Sequence, residues 1–264
     1  MAVSIDLSGK CALVTGGSQG IGRGCGEWLA RAGAAVALVA RNGKNLDEVV
    51  QDIRRAGGRA EALPADLTEP GRTEWAVGET VQRLGALDFL VNVAGTARRS
   101  DPAETTDGDI DLSINLKVRA AVRLVKAAVP HMKARGGGSI VFTLGLAHVH
   151  TSVWHGSGCM SNGMLLPYKH QLARRVAPWN IRVNAVNPGV TETPRMTIQQ
   201  QRIADLTGTS VDDVARDRLA AIPMGRFVRV DDVAKLVVFL CSDMGSYITG
   251  ESITVDGGET NAVR

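Results

Sequence analysis

Short runs of apolar, β-prone residues alternate with amphipathic stretches along nearly the whole chain. The apolar runs fall at 11–15, 35–40, 60–63, 87–93, 139–144, 181–187 and 252–255, and they read as strands. Helical patterning occupies 20–32, 43–56, 68–84, 109–134, 156–177 and 230–242. Alternation of this kind predicts an α/β fold, a parallel sheet with helices on both faces. There is no internal repeat beyond the βα unit and no linker, so one domain is expected across 1–264. Only 194–223 breaks the rhythm, with a polar, charged insertion carrying helical patches. At the carboxyl end of a strand, such an insertion is expected to serve as a substrate lid.

Composition narrows the class. Of 264 residues, 44% are apolar, enough for a large core, and the mean hydropathy is +0.01. No apolar run approaches a membrane span, and 1–10 lack the apolar stretch of a signal peptide. Cys11, Cys25, Cys159 and Cys241 are scattered, which argues against a disulfide framework or zinc knuckle and for a reducing cytoplasm. The net charge of +3 is too mild and too interspersed for a nucleic-acid footprint, yet it suits an anionic cofactor. No metal site is expected.

The chemistry begins at Cys11-Ala-Leu-Val-Thr-Gly-Gly-Ser-Gln-Gly-Ile-Gly22, where a strand runs through a glycine-rich turn into a helix. Gly16 and Gly20 permit a tight turn and close approach of a ligand, and Gly22 permits close packing of helix on sheet. The helix start offers unpaired N–H groups to a phosphate. At the end of the second strand, Ala40 stands where an acid would hold a ribose 2′-hydroxyl, and Arg41 follows, with Lys44 nearby. An arginine there pairs with a 2′-phosphate, so NADP is expected over NAD.

With these motifs in view, the chain resembles the classical short-chain dehydrogenase/reductase family from about 7 to 258. The resemblance rests on Thr15-Gly-Gly-Ser-Gln-Gly-Ile-Gly22, Asp66-Leu67, Asn92-Val-Ala-Gly95, Asn115, Ile181-Arg-Val-Asn-Ala-Val-Asn-Pro-Gly189 and Val255-Asp-Gly-Gly258. It implies a seven-stranded, doubly wound Rossmann-type sheet and a homodimer or homotetramer. It implies NADP(H) contacts from Gly16, Ser18, Gln19, Gly20, Ile21, Gly22, Arg41, Asn42, Asp66, Leu67, Asn92, Ala94, Gly95, Asn162, Pro188, Gly189, Thr191 and Thr193.

The chain departs from the family where a proton must move. The family uses a serine after the fifth strand and Tyr-x-x-x-Lys on the next helix. Counting back from Ile181 puts Gly145 at the serine, Gly158 at the tyrosine and Asn162 at the lysine, with the family's own spacing. Only two tyrosines exist, Tyr168 and Tyr247, and neither has a lysine four residues on. Of the catalytic set, Asn115 remains. Losing a positioned general acid costs about 10²–10⁴ in rate. Replacement donors are sought in His148, His150 and His155, on the loop after the fifth strand. His155 leads, and it shares a helical face with Gly158 if the helix starts that early.

Gly145 and Gly158 leave room for a bulky substrate, with Leu144, Leu146, His148, Trp154 and His155 around it. Arg98 and Arg99 read as solvated loop charges that could also draw an acidic substrate. Pro167 predicts a kink or break near 163–167. The expected activity is NADPH-dependent reduction of a pre-activated, bulky organic substrate: an iminium, a conjugated acceptor or a histidine-assisted carbonyl. The alternatives are non-redox chemistry on an NADP(H) scaffold (cyclisation, dehydration or isomerisation) and a catalytically silent dinucleotide-binding protein.

Overall fold

The computed structural model describes residues 4–96, 98–148 and 154–261, with His148 described by its backbone alone. Strands β1 (Cys11–Thr15), β2 (Ala35–Ala40), β3 (Ala60–Pro64), β4 (Phe89–Asn92), β5 (Gly138–Thr143), β6 (Ile181–Pro188) and β7 (Ser252–Val255) form one sheet. Its order is β3-β2-β1-β4-β5-β6-β7, and every pairing is parallel. The order reverses between β1 and β4, which opens a crevice at the carboxyl ends of the strands. This is the α/β doubly wound fold expected from the alternation.

Successive side chains on a strand face opposite ways. Leu13 of β1 therefore joins the core shared with α3 (Arg72–Leu84), α5 (Ala120–Ala134) and α6 (Ser157–Val176). Its neighbours Ala12 and Val14 join the core under α1 (Gly20–Arg31), α2 (Gly43–Arg55) and α9 (Val230–Cys241). Helix α2 illustrates the local cause. Asn42 caps it, accepting at Oδ1 from the Asn45 N–H at 3.1 Å. Leu46, Val49, Val50 and Ile53 then fall on one buried face at helical spacing.

Two expectations need correction. The single helix expected over 109–134 is instead α4 (Asp107–Ser113), a π-helical segment over Ile114–Arg119 with wider i→i+5 turns, and α5. Of the kink or break expected near Pro167, the break is absent, because α6 runs continuously from Ser157 to Val176. Packing holds both sides of the proline: Leu165 lies before it, and Lys169, Ala173 and Val176 lie after it, all buried. Lys169 Nζ also donates to the Gly250 carbonyl and to Ser252 Oγ, tying the second half of α6 to the start of β7. The insertion carries the helical patches expected of it, as α7 (Pro194–Thr207) and α8 (Val211–Ala220). Ile203, Ala204 and Val214 make a small cluster there, with Trp154 packed against it. Among the described residues no helix is long and apolar enough to cross a membrane.

Candidate active site

A cleft of about 1220 Å³ lies across the carboxyl ends of the strands, walled on one side by α7 and α8. Its nucleotide end is built on β1. Gly16 sits at φ 70°, and a Cβ on Gly22 would run into the Gly16 carbonyl oxygen. The third glycine thus serves the turn itself, a closer constraint than the helix-on-sheet packing expected of it. Gln19 precedes α1 without capping it by its side chain. The first-turn N–H groups therefore stay available to an anion, as a dinucleotide pyrophosphate requires. Thr15 Oγ1 accepts from the N–H groups of Val93 and Ala94, both at 2.9 Å, and so fixes the β4 turn beside that seat.

The residues expected at the cofactor converge. Gly16, Ser18, Gln19, Gly20, Ile21, Gly22, Arg41, Asn42, Leu67, Ala94, Gly95, Asn162, Pro188, Gly189, Thr191 and Thr193 all line the cleft. Asp66 and Asn92 are not among the residues that line it. Asp66 Oδ1 accepts from the Thr68 N–H at 2.9 Å and from Thr68 Oγ1 at 2.7 Å. Partial burial opposes its ionisation, but these bonds and the charge of Arg41 hold it below the usual carboxylate range. Asn92 is buried, and its side-chain amide has no partner among the described residues.

At the other end, Gly145, Leu146, Trp154, His155 and Gly158 line the cleft. His155 precedes α6 rather than belonging to it, since Gly156 at φ 42° separates it from the first helical residue, Ser157. The expected shared helical face with Gly158 is therefore not formed, although the His155 carbonyl accepts from the Gly158 N–H at 2.9 Å. The His148 side chain and all of His150 lie outside the described residues. The Asn115 side chain accepts from Arg119 Nη1, and Asn115 is not among the cleft-lining residues. Among the described residues no cluster of histidine, cysteine and carboxylate groups forms a metal site.

Two cations on the cleft wall change the picture. Lys117, in the π-helical segment, reaches inward, and its Nζ donates to the Thr143 carbonyl at the end of β5 at 2.7 Å. Its stem packs over Gly95, where an added Cβ would stand 2.8 Å from Lys117 Cδ. Desolvation of the inward-pointing amine, aided by the charge of Arg195, pushes it down to about 7. Arg99 is not the solvated loop charge expected, for it is only 7% exposed. Burial, with Arg218 and Arg195 close by, pushes it down to about 9.

A family model described as enoyl-(acyl carrier protein) reductase matches residues 16–260. The 3-oxoacyl-[acyl-carrier-protein] reductase FabG of Thermotoga maritima is 31% identical over 252 residues, spanning 96% of this chain and 98% of that protein. The chain belongs to the short-chain dehydrogenase/reductase family. The 4-formylbenzenesulfonate dehydrogenase of Comamonas testosteroni is 33% identical over 259 residues, 96% of this chain and 99% of its own. The L-sorbose reductase of Gluconobacter frateurii, solved with NADPH and L-sorbose, superposes with a TM-score of 0.92 at 31% identity, covering 99% of this chain and 100% of its own.

Short-chain dehydrogenases/reductases are oxidoreductases that use a nicotinamide dinucleotide, and this cleft has the seat for one. The chain's two tyrosines both sit away from the cleft. Tyr168 packs edge-on against Phe142 in the core, with ring centroids 6.4 Å apart, and Tyr247 is fully exposed. Gly145 takes φ 77°, a backbone conformation in which a serine would be strained. Lys117 escaped the sequence reading because regular helical spacing gives no sign of a π-helical segment. Its place two residues after Asn115 was the available clue.

Proposed function

We propose that this protein is an NADP(H)-dependent oxidoreductase with an atypical active site, acting on a bulky, pre-activated organic substrate. The carrying observation is a contrast within one cleft. The dinucleotide-binding motif lines it, whereas positions 145 and 158 are glycine and both tyrosines lie elsewhere. When bound, a reduced nicotinamide supplies a hydride to the substrate carbon. The chain must then deliver a proton to the atom that gains charge, or accept a substrate that needs less help, such as an iminium or a conjugated acceptor.

Lys117 and His155 are the donors proposed on the cleft wall. The Lys117 ammonium is held by the Thr143 carbonyl, two residues before Gly145, and its low pKa suits proton exchange near neutrality. Asn162 lines the same wall and can hydrogen-bond a ribose hydroxyl, but it carries no charge. Helices α7 and α8 are proposed as the lid, with Trp154, Ile203 and Val214 giving it an apolar inner surface. The homodimer or homotetramer typical of the family remains part of the proposal, supported by exposed Met160 and Met164 on an unbroken α6.

NADP is assigned over NAD because Arg41 lines the nucleotide end and Ala40 leaves no acid to repel a phosphate. An Arg41→Ala variant is expected to bind NADP+ roughly tenfold or more weakly, the scale of a lost charge-assisted bond. NAD+ binding should change by less than about twofold, since no such bond is lost. Equal losses for both dinucleotides in a fluorescence titration would contradict the assignment. The function as a whole is tested by NADPH consumption on activated acceptors.

A further inference from the structure

We propose that the substrate carries a carboxylate or similar oxyanion, and that Arg99 with Arg218 forms its subsite at the α7–α8 end of the cleft. This deepens the oxidoreductase reading of the same cleft and rests on it. Arg99 follows the β4 turn and is buried to 7% exposure. Its one described hydrogen bond runs from Nη2 to Gln199 Oε1, at a long 3.4 Å. Nε and Nη1 are buried with no partner among the described residues. A guanidinium withdrawn from water without its hydrogen bonds is unfavourable, and an oxyanion that meets the planar fork relieves it.

The charges around Arg99 point the same way. Its strongest charged neighbours are Arg218 and Arg195, both like-charged, and the opposing influence of Cys159 and Glu259 is weaker. Arg98, Arg99, Arg195 and Arg218 all line this end of the cleft, against Asp217 and Glu259. Arg195 Nη1 already donates to the Gly95 carbonyl at 2.6 Å, on the side towards the nucleotide. Arg98 is exposed to solvent, so Arg99 and Arg218 are the pair left to the substrate. Arg218 is part-buried, and desolvation pushes its guanidinium down while Glu259 pulls it back up.

Trp154, Ile203 and Val214 supply an apolar wall on the same side. A hydrocarbon body lies along that wall while its anionic end meets Arg99. The pocket therefore selects an amphipathic acid over a neutral molecule of the same shape. The subsite is separate from Arg41, which stands at the end of β2.

The test is calorimetric titration of the full-length protein, with and without NADP+, using 2-naphthoate and the isosteric neutral 2-naphthamide as probes. The naphthoate is expected to bind roughly tenfold or more tightly than the amide. Arg99→Met should reduce the difference to about twofold or less, with NADP+ affinity changed by less than about twofold. Arg218→Met should also narrow it, and it decides the matter if Arg99→Met does not fold. Equal binding of both probes by the wild type, or an undiminished preference in the variants, would overturn the proposal. If NADPH is never consumed but the naphthoate preference holds, the oxidoreductase reading fails and the anion subsite stands.

Discussion

A Lys117→Met variant is expected to reduce carbonyl acceptors, which need a proton, about 10²- to 10⁴-fold more slowly than the wild type, and iminium ions, which need none, at nearly the wild-type rate, with NADPH binding unchanged. Among the described residues Lys117 is the one lysine on the cleft wall, and its ammonium is held against the Thr143 carbonyl near Gly145. Because burial and Arg195 bring its pKa down to about 7, the amine carries its proton only below that value. Reduction of a carbonyl consumes a proton, so the wild-type rate on such acceptors should fall as pH rises through about 7, and the variant should lack that limb.

Stability changes with the opposite sign. Between about pH 7 and the ordinary lysine range, the unfolded chain holds a proton at Lys117 that the folded chain does not. Wild-type stability therefore rises with pH across that window, and the methionine variant lacks the rise. Methionine preserves the apolar stem and removes a buried charge, so the melting temperature near neutrality should be equal or higher. A variant with normal turnover and an unchanged pH profile would exclude Lys117. If His155→Ala carried the loss instead, the proton would come from that histidine.

The second large effect is a gain. Introducing Gly158→Tyr and Asn162→Lys together is expected to raise the reduction of simple ketones by about 10² or more, the usual worth of a positioned general acid. The two positions lie one turn apart on α6, and both line the cleft. Gly145 should be left alone, since a serine at φ 77° would strain the loop. No gain, in a double variant that folds and binds NADPH as the wild type does, would mean that the cleft cannot present a simple ketone at all.

Much of the frame was legible in the residues. The seven apolar runs became the seven strands, and the glycine turn, Arg41 and the Thr191–Thr193 segment met in one cleft. These features depend on local chemistry: strand hydrophobicity, left-handed glycines and a helix start. Features set by long-range packing were harder to read. Pro167 suggested a broken helix, but burial on both sides and the Lys169 bonds hold it intact. Arg99 appeared to be a surface charge because burial by α7 and α8 leaves no mark on its neighbours in sequence. Lys117 points inward because of a widened helical segment that its side-chain pattern does not announce.

The central claim is that this cleft passes a hydride from NADPH to a substrate without a tyrosine donor. Transfer of label from 4-deuterated NADPH tests it most directly, using a panel of cyclic iminium ions, conjugated enones and aromatic aldehydes. The predicted result is one deuterium at the reduced carbon, for activated acceptors in preference to simple ketones, with NADP+ formed in equal amount. Tight NADPH binding with no deuterium in any product, or substrate converted while the cofactor stays reduced, would contradict it.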